Sequence, residues 1–126
     1  MTIADTDVLI DFLSGAEPGA SRVFHSIESG ALQTTAITRF ELLSGARTDR
    51  AEAGIRELLD VISTLPLDEP CADRAALVRR SLEKTGAAIG MADSLIAGIA
   101  LVHNATLLTR NRKHFERVVG LRLAAP

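Results

Sequence analysis

The sequence predicts an α/β fold, with a mostly parallel central sheet of four to five strands flanked by helices. Three observations point there. Short apolar runs alternate along the chain with segments whose apolar residues recur at helical spacing. Helix-opening residues (Asp, Thr, Pro) and helix-closing glycines fall between them. Strand-then-helix alternation throughout requires crossover connections, which parallel sheets use and antiparallel meanders do not. A length of 126 residues suits one domain, residues 1–126, able to bury a core without disulfides or structural metals.

Residues 2 to 6 read as the first strand and Val8 to Leu13 as the helix after it, with Asp7 as N-cap and Gly15 as stop. Pro18 to Ser29 is a second helix ended by Gly30, its apolar face made by Val23, Phe24 and Ile27. Leu32 to Ile37 is the second strand. Thr38 opens a helix through Gly45, and Asp49 opens another whose stripe is Ile55, Leu58, Leu59 and Ile62. A third strand spans Thr64 to Leu67, and Pro70 opens a helix rich in alanine. Met91 begins a small-residue helix that runs to His103. Thr106 to Thr109 is the fourth strand, Lys113 to Glu116 a helical turn, and Leu121 to Leu123 an edge strand.

A formal net charge of −2 excludes a globally basic nucleic-acid binder, although a local basic patch fits. The single cysteine, Cys71, forms no internal disulfide and reads as a small buried apolar side chain. No leader pattern follows Met1, and the longest uncharged stretch, Ser94 to Thr109, is too short to cross a membrane, so a cytoplasmic protein is expected.

In an open parallel sheet, ligands bind beyond the carboxyl ends of the strands. Asp5 ends the first strand, Glu41 and Asp93 lie in first turns of helices, and Asn111 follows the fourth strand. Each has a plainer reading: Asp5 as a cap, Glu41 as partner of Thr38 in a capping box, Asp93 as an acid favoured by the helix dipole, Asn111 as a turn residue. Convergence changes the weighing. Carboxylates brought close together repel, and a hard divalent cation relieves the conflict. Oxygen donors without Cys or a converging His suit Mg²⁺ or Mn²⁺ rather than Zn²⁺. Such an ion most often handles phosphates, by polarising a phosphoryl oxygen and activating water. Arg110, Arg112 and Lys113 place positive charge beside the acids, as a polyanionic substrate requires. His114 reads as a surface-turn residue before it reads as a general acid. Asp7 reads as a cap before it reads as a ligand through water, and Asp11, one turn later, as a surface or supporting residue.

Four stretches together resemble the PIN-domain nucleases, in particular the VapC-type toxins of bacterial toxin–antitoxin pairs. They are Ile3 to Asp11, Glu41 to Gly45, Ala92 to Ala97, and Leu108 to Phe115, in the family's order along nearly the whole chain. The resemblance implies a Mg²⁺- or Mn²⁺-dependent endoribonuclease that cuts RNA, is inhibited by a cognate antitoxin and forms a homodimer. It maps the family's acids onto Asp5, Glu41 and Asp93 and a recurrent hydroxyl onto Thr109. Asn111 stands where many relatives carry a fourth acid, so a second metal would be held more weakly.

Asp5-Thr6-Asp7-Val8-Leu9 also resembles the aspartyl-nucleophile motif of haloacid-dehalogenase-type phosphatases, but no later lysine with paired aspartates accompanies it. A phospho-receiver domain would need a phosphoacceptor at the end of its middle strand, where Asp68 is a poor candidate. A passive single-strand RNA binder would need exposed aromatic platforms, and four Phe without Tyr or Trp supply few.

Overall fold

A computed structural model describes all 126 residues. Five strands, β1 (Thr2–Ala4), β2 (Leu32–Thr35), β3 (Ser63–Leu65), β4 (Thr106–Leu108) and β5 (Arg122–Ala124), form one wholly parallel sheet in the order β3-β2-β1-β4-β5. Seven helices connect them: α1 (Thr6–Ser14), α2 (Gly19–Glu28), α3 (Ala36–Gly45), α4 (Asp49–Val61), α5 (Glu69–Lys84), α6 (Met91–Val102) and α7 (Arg112–Phe115). The strands are three or four residues long, so side-chain burial rather than the ladder holds them. Ile3 and Leu107 face one core with α5, α6 and α7, while Ala4 and Leu108 face the other with α1 to α4, as the twofold alternation of a strand demands. Ile3 and Leu107 are fully buried, each contributing about 1.5–3 kcal/mol relative to exposure.

The expected mostly parallel sheet is wholly parallel, and several boundaries move toward the N-terminus. β1 ends at Ala4, so Asp5 rather than Asp7 caps α1: its backbone is extended and its carboxylate accepts from Thr6 N–H at 2.8 Å. β2 ends at Thr35, whose Oγ1 accepts from Thr38 N–H at 3.1 Å and starts α3 one turn before the position expected from Thr38. Thr38 and Glu41 therefore form no capping box. The local pattern was present, but Thr35 supplies the same chemistry where the strand leaves the sheet, and the earlier cap leaves no free helix end at Thr38. Gly15, expected as the stop of α1, closes it in the left-handed region (φ 76) and donates to Asp11 and Phe12 carbonyls.

The strand order sets the position of the site. From β1 the chain proceeds through α1 and α2 to β2 on one side, and from β4 through α7 to β5 on the other. The crevice of such a sheet opens beyond the carboxyl ends of the two strands where the winding reverses, here β1 and β4. Asp5 N–H donates to Leu108 O at 2.9 Å, tying the two exits together.

Helices α5 and α6 meet most closely at Gly98, where an added Cβ would stand 2.7 Å from both the nitrogen and Cβ of Ala75. Neither atom can yield without moving the α5 backbone. Gly98→Ala is therefore expected to destabilise the chain by about 1–3 kcal/mol in urea unfolding; an unchanged midpoint would show that the helices do not pack as described.

Candidate active site

Asp5 lies at the centre of the reversal point, 5% exposed. One carboxylate oxygen accepts from Thr6 N–H, and the other accepts from Thr109 Oγ1 at 2.7 Å. Thr109 is the residue just past β4, so the two strand exits share one hydrogen bond. Burial pushes the Asp5 carboxyl up to about 6, against the pull of the Thr109 hydroxyl; the nearby Asp7 and Asp93 charges push it further the same way. The contributions of Asp7 and Asp93 place three acids in one electrostatic neighbourhood.

The remaining acids are each held by a donor. Asp7 Oδ2 accepts from Arg110 N–H at 2.9 Å and lies 3.4 Å from Thr109 Oγ1. Glu41 accepts from Thr6 Oγ1 at 2.7 Å, and Thr38 Oγ1 lies 3.0 Å from the same hydroxyl. Thr6 thus joins Glu41 to the residue beside Asp5. Asp93, in the first turn of α6, accepts from His114 Nδ1 at 2.7 Å, and the Asn111 amide sits 3.0 Å from that nitrogen. Phe115, fully buried, anchors α7 so that His114 meets Asp93.

Two expectations, those for Asp7 and Asp11, need correction here. Asp7 is no cap; its carboxylate faces the loop after β4. His114 lies on the surface in a short turn, as expected, and its Nδ1 meets Asp93. Arg110 turns toward Asp11: its guanidinium grips that carboxylate, with Nε at 2.7 Å from Oδ2 and Nη2 at 3.2 Å from Oδ1. Asp11 is buried rather than superficial. Asn111 turns its amide to His114, and its N–H donates to Thr109 Oγ1 at 2.9 Å. Arg112 and Lys113 are exposed and pair with no acid. Sequence reading missed Thr6, Thr38 and the Asp11–Arg110 pair; the only signal for the hydroxyls was a threonine directly after the first acid. Cys71 is a buried thiol whose ionisation burial pushes up to about 11, as expected of a packing residue.

The acids meet at one edge of the sheet, yet no three of them lie close enough as they stand to close on one ion. Protein donors hold them apart instead. The donor chemistry nevertheless fits a hard cation. Every acid offers carboxylate oxygen, and Asp7 Oδ1 is buried with no hydrogen-bond partner, an unmet demand that a cation would satisfy. Asp5, Asp7, Asp93 and Glu41 are the residues able to contribute, after side-chain rotation away from their present donors.

The upward shift of Asp5 has a direct consequence for stability. Between about pH 4 and 6 the folded chain retains a proton that the unfolded chain, at its ordinary value of 3.8, has released, so stability falls as pH rises through that window. With divalent ions chelated, Asp5→Asn is expected to stabilise the protein at pH 8 by about 1–3 kcal/mol in urea unfolding, the gain fading below pH 5. A variant less stable than wild type at pH 8 would contradict the assignment of a buried, strained charge.

The PIN domain family model matches residues 2–121. The chain is 30% identical over 122 residues to the tRNA(fMet)-specific endonuclease VapC of Shigella flexneri, covering 94% of this chain and 92% of that protein. It is 33% identical over 116 residues to ribonuclease VapC10 of Mycobacterium tuberculosis, covering 91% and 86%. Among solved structures, the DNA-bound VapBC of Salmonella typhimurium superposes with a TM-score of 0.89 at 25% identity, over 98% of this chain and 96% of that one. FitAcB of Neisseria gonorrhoeae gives 0.77 at 26%, over 98% and 96%. The receiver reading falls away, since a receiver sheet runs 2-1-3-4-5 and this one runs 3-2-1-4-5; the dehalogenase reading falls away on the PIN match, which spans residues 2–121. One parallel sheet, a crevice of acids at its reversal point and a model match across almost the whole length lead to one assignment: the chain belongs to the PIN domain family, beside the VapC ribonucleases.

Proposed function

We propose that the protein is an endoribonuclease toxin of the VapC type, acting in the cytoplasm on RNA with Mg²⁺ or Mn²⁺ and restrained by a cognate antitoxin protein. The observation that carries the reading is Asp5 and Asp7 gathered at Thr109, with the Asp93 charge near enough to act on Asp5, one buried carboxylate oxygen unpaired and one carboxyl pushed up to about 6. Such a cluster is unfavourable unless cation binding or proton uptake relieves it. The curated relatives named as ribonucleases, matched across nearly their whole length, support RNA as substrate.

Asp5, Asp93 and Glu41 are proposed as the residues that hold the ion, with Asp7 beside them. When held there, the ion would supply positive charge to the phosphodiester oxygens and lower the pKa of water, a chemistry that needs no protein nucleophile. Cys71, the one thiol, is buried on the α5 side of the core and takes no part. Thr109 keeps Asp5 oriented by donating to one oxygen while Thr6 N–H holds the other. Arg112 and Lys113, free of acidic partners, are the groups placed to meet substrate phosphates. Asn111 adds no negative charge at its position, which favours one tightly held ion over two.

An apolar groove of about 370 Å³ between α1, α3 and α4, lined by Ile10, Leu13, Leu42 and Ile55, has Glu41 in its wall. An antitoxin segment laid there would reach Glu41, which gives inhibition a direct route. The complexes formed by the VapBC and FitAcB neighbours support a protein partner of this kind. Self-association into a homodimer is proposed with it, to be read from the mass in solution.

Incubated with a pool of cellular RNAs, the wild-type protein is expected to cut only when Mg²⁺ or Mn²⁺ is present, with EDTA abolishing cleavage. Asp93→Ala should lower the rate at least ~100-fold. Equal cleavage by both proteins would assign the activity to a contaminant and remove the reading. Arg112→Ala and Lys113→Ala are each expected to weaken RNA binding and to reduce the salt slope by about one. Binding isotherms at several salt concentrations decide this, and an unchanged slope would take the two residues off the RNA path.

A further inference from the structure

The loop after β4 carries a cation that the sequence marks for phosphate but that the fold assigns elsewhere. Arg110 is bound through both Nε and Nη2 to the two oxygens of Asp11, one turn along α1 from Asp7, while its own N–H is bound by Asp7 Oδ2. A single residue is therefore attached to α1 by backbone and by side chain. Its neighbours are Thr109, which donates to Asp5, and Asn111, whose N–H donates back to Thr109.

Asp11 is not an incidental surface acid. It is 8% exposed and lies against Gly19 at the start of α2, where a Cβ would approach its Oδ2 to 2.6 Å and its own Cβ to 2.7 Å. Only glycine leaves room for the carboxylate there, so α1, α2 and the late loop meet at one built contact. A planar fork on a carboxylate also fixes direction, which an ammonium would not.

We propose that Asp11 and Arg110 act as a positioning pair for the nuclease reaction: they set the loop that holds Thr109 against Asp5 and do not bind substrate phosphate. The proposal rests on the nuclease reading and deepens it. The Arg110 side chain is half exposed, so the ion pair adds little to overall stability. Its effect is on geometry, to which catalysis is far more sensitive, since a displacement of about 1 Å in a reacting site can lower the rate ~100-fold.

The test uses the full chain as wild type, Arg110→Ala, Arg110→Lys, Asp11→Asn and the Asp11→Asn/Arg110→Ala double variant. Cleavage rates at saturating RNA with Mn²⁺ are compared with RNA binding measured in EDTA by fluorescence anisotropy at several salt concentrations. Arg110→Ala and Asp11→Asn are each expected to lower kcat by about 10–100-fold, to leave RNA affinity within about twofold, and to combine with no further loss. Arg110→Lys, which keeps the charge but not the fork, should remain impaired. Hydrogen exchange of the Arg110 and Asn111 amides should speed up at least about tenfold in both single variants.

Weakened RNA binding and a salt slope lower by about one in Arg110→Ala, without the same change in Asp11→Asn, would make Arg110 a phosphate ligand and overturn the proposal. So would unchanged kcat and unchanged amide exchange in both variants. A wild-type protein that cuts no RNA with any divalent ion would sink the nuclease reading instead, and the amide exchange would still decide whether the pair holds the loop.

Discussion

Several carboxylates at the mouth of one sheet, drawn from chain positions as far apart as 5 and 93, repel each other, and most of what surrounds them answers that repulsion. In water such charges would separate. Here they cannot, because Asp5 caps α1 directly after a buried strand and Asp93 sits in the first turn of a helix packed on the opposite face. The structure relieves the conflict with donors. Thr109, the Arg110 amide, the Arg110 guanidinium and His114 each face a different acid: Asp5, Asp7, Asp11 and Asp93. All four donors come from the six residues 109–114, so the loop after β4 and the short α7 together act as a strap across the mouth of the sheet.

This arrangement explains why the acids are assembled but not closed on a common point. Each carboxylate spends at least one oxygen on a protein hydrogen bond, leaving Asp7 Oδ1 as the buried oxygen without a partner. A cation that enters must compete with those donors, and the competition sets how tightly it is held. Outer hydrogen bonds of this kind commonly alter metal affinity by about 10–100-fold. Keeping the strap closed and gripping an ion are opposed demands on the same side chains.

Much of the architecture was legible along the chain. Apolar periodicity and strand–helix alternation were enough for a parallel α/β domain, because those patterns follow from which faces must be buried. Asp5, Glu41 and Asp93 stood out because a charged residue at a strand exit or in the first turn of a helix has few places to point. Boundaries were less legible: Thr35 and Thr38 are both good caps, and which one acts depends on where β2 leaves the sheet, a matter settled by its pairing with β3. Glu41 was ambiguous for the same reason, and it came free of the capping box only when α3 began one turn earlier.

The sequence by itself determined the class of fold, the kinds of oxygen ligand and the positions along the chain where they could stand, since each depends on residue type and local spacing. Tertiary structure alone decided the partners: that Arg110 turns to Asp11 rather than outward, that His114 meets Asp93, and that Thr6 links Glu41 to Asp5. These contacts join residues 21 to 99 positions apart. No local pattern encodes such pairs, because their energies arise only after strand order has brought the exits of β1 and β4 side by side and buried the space between them.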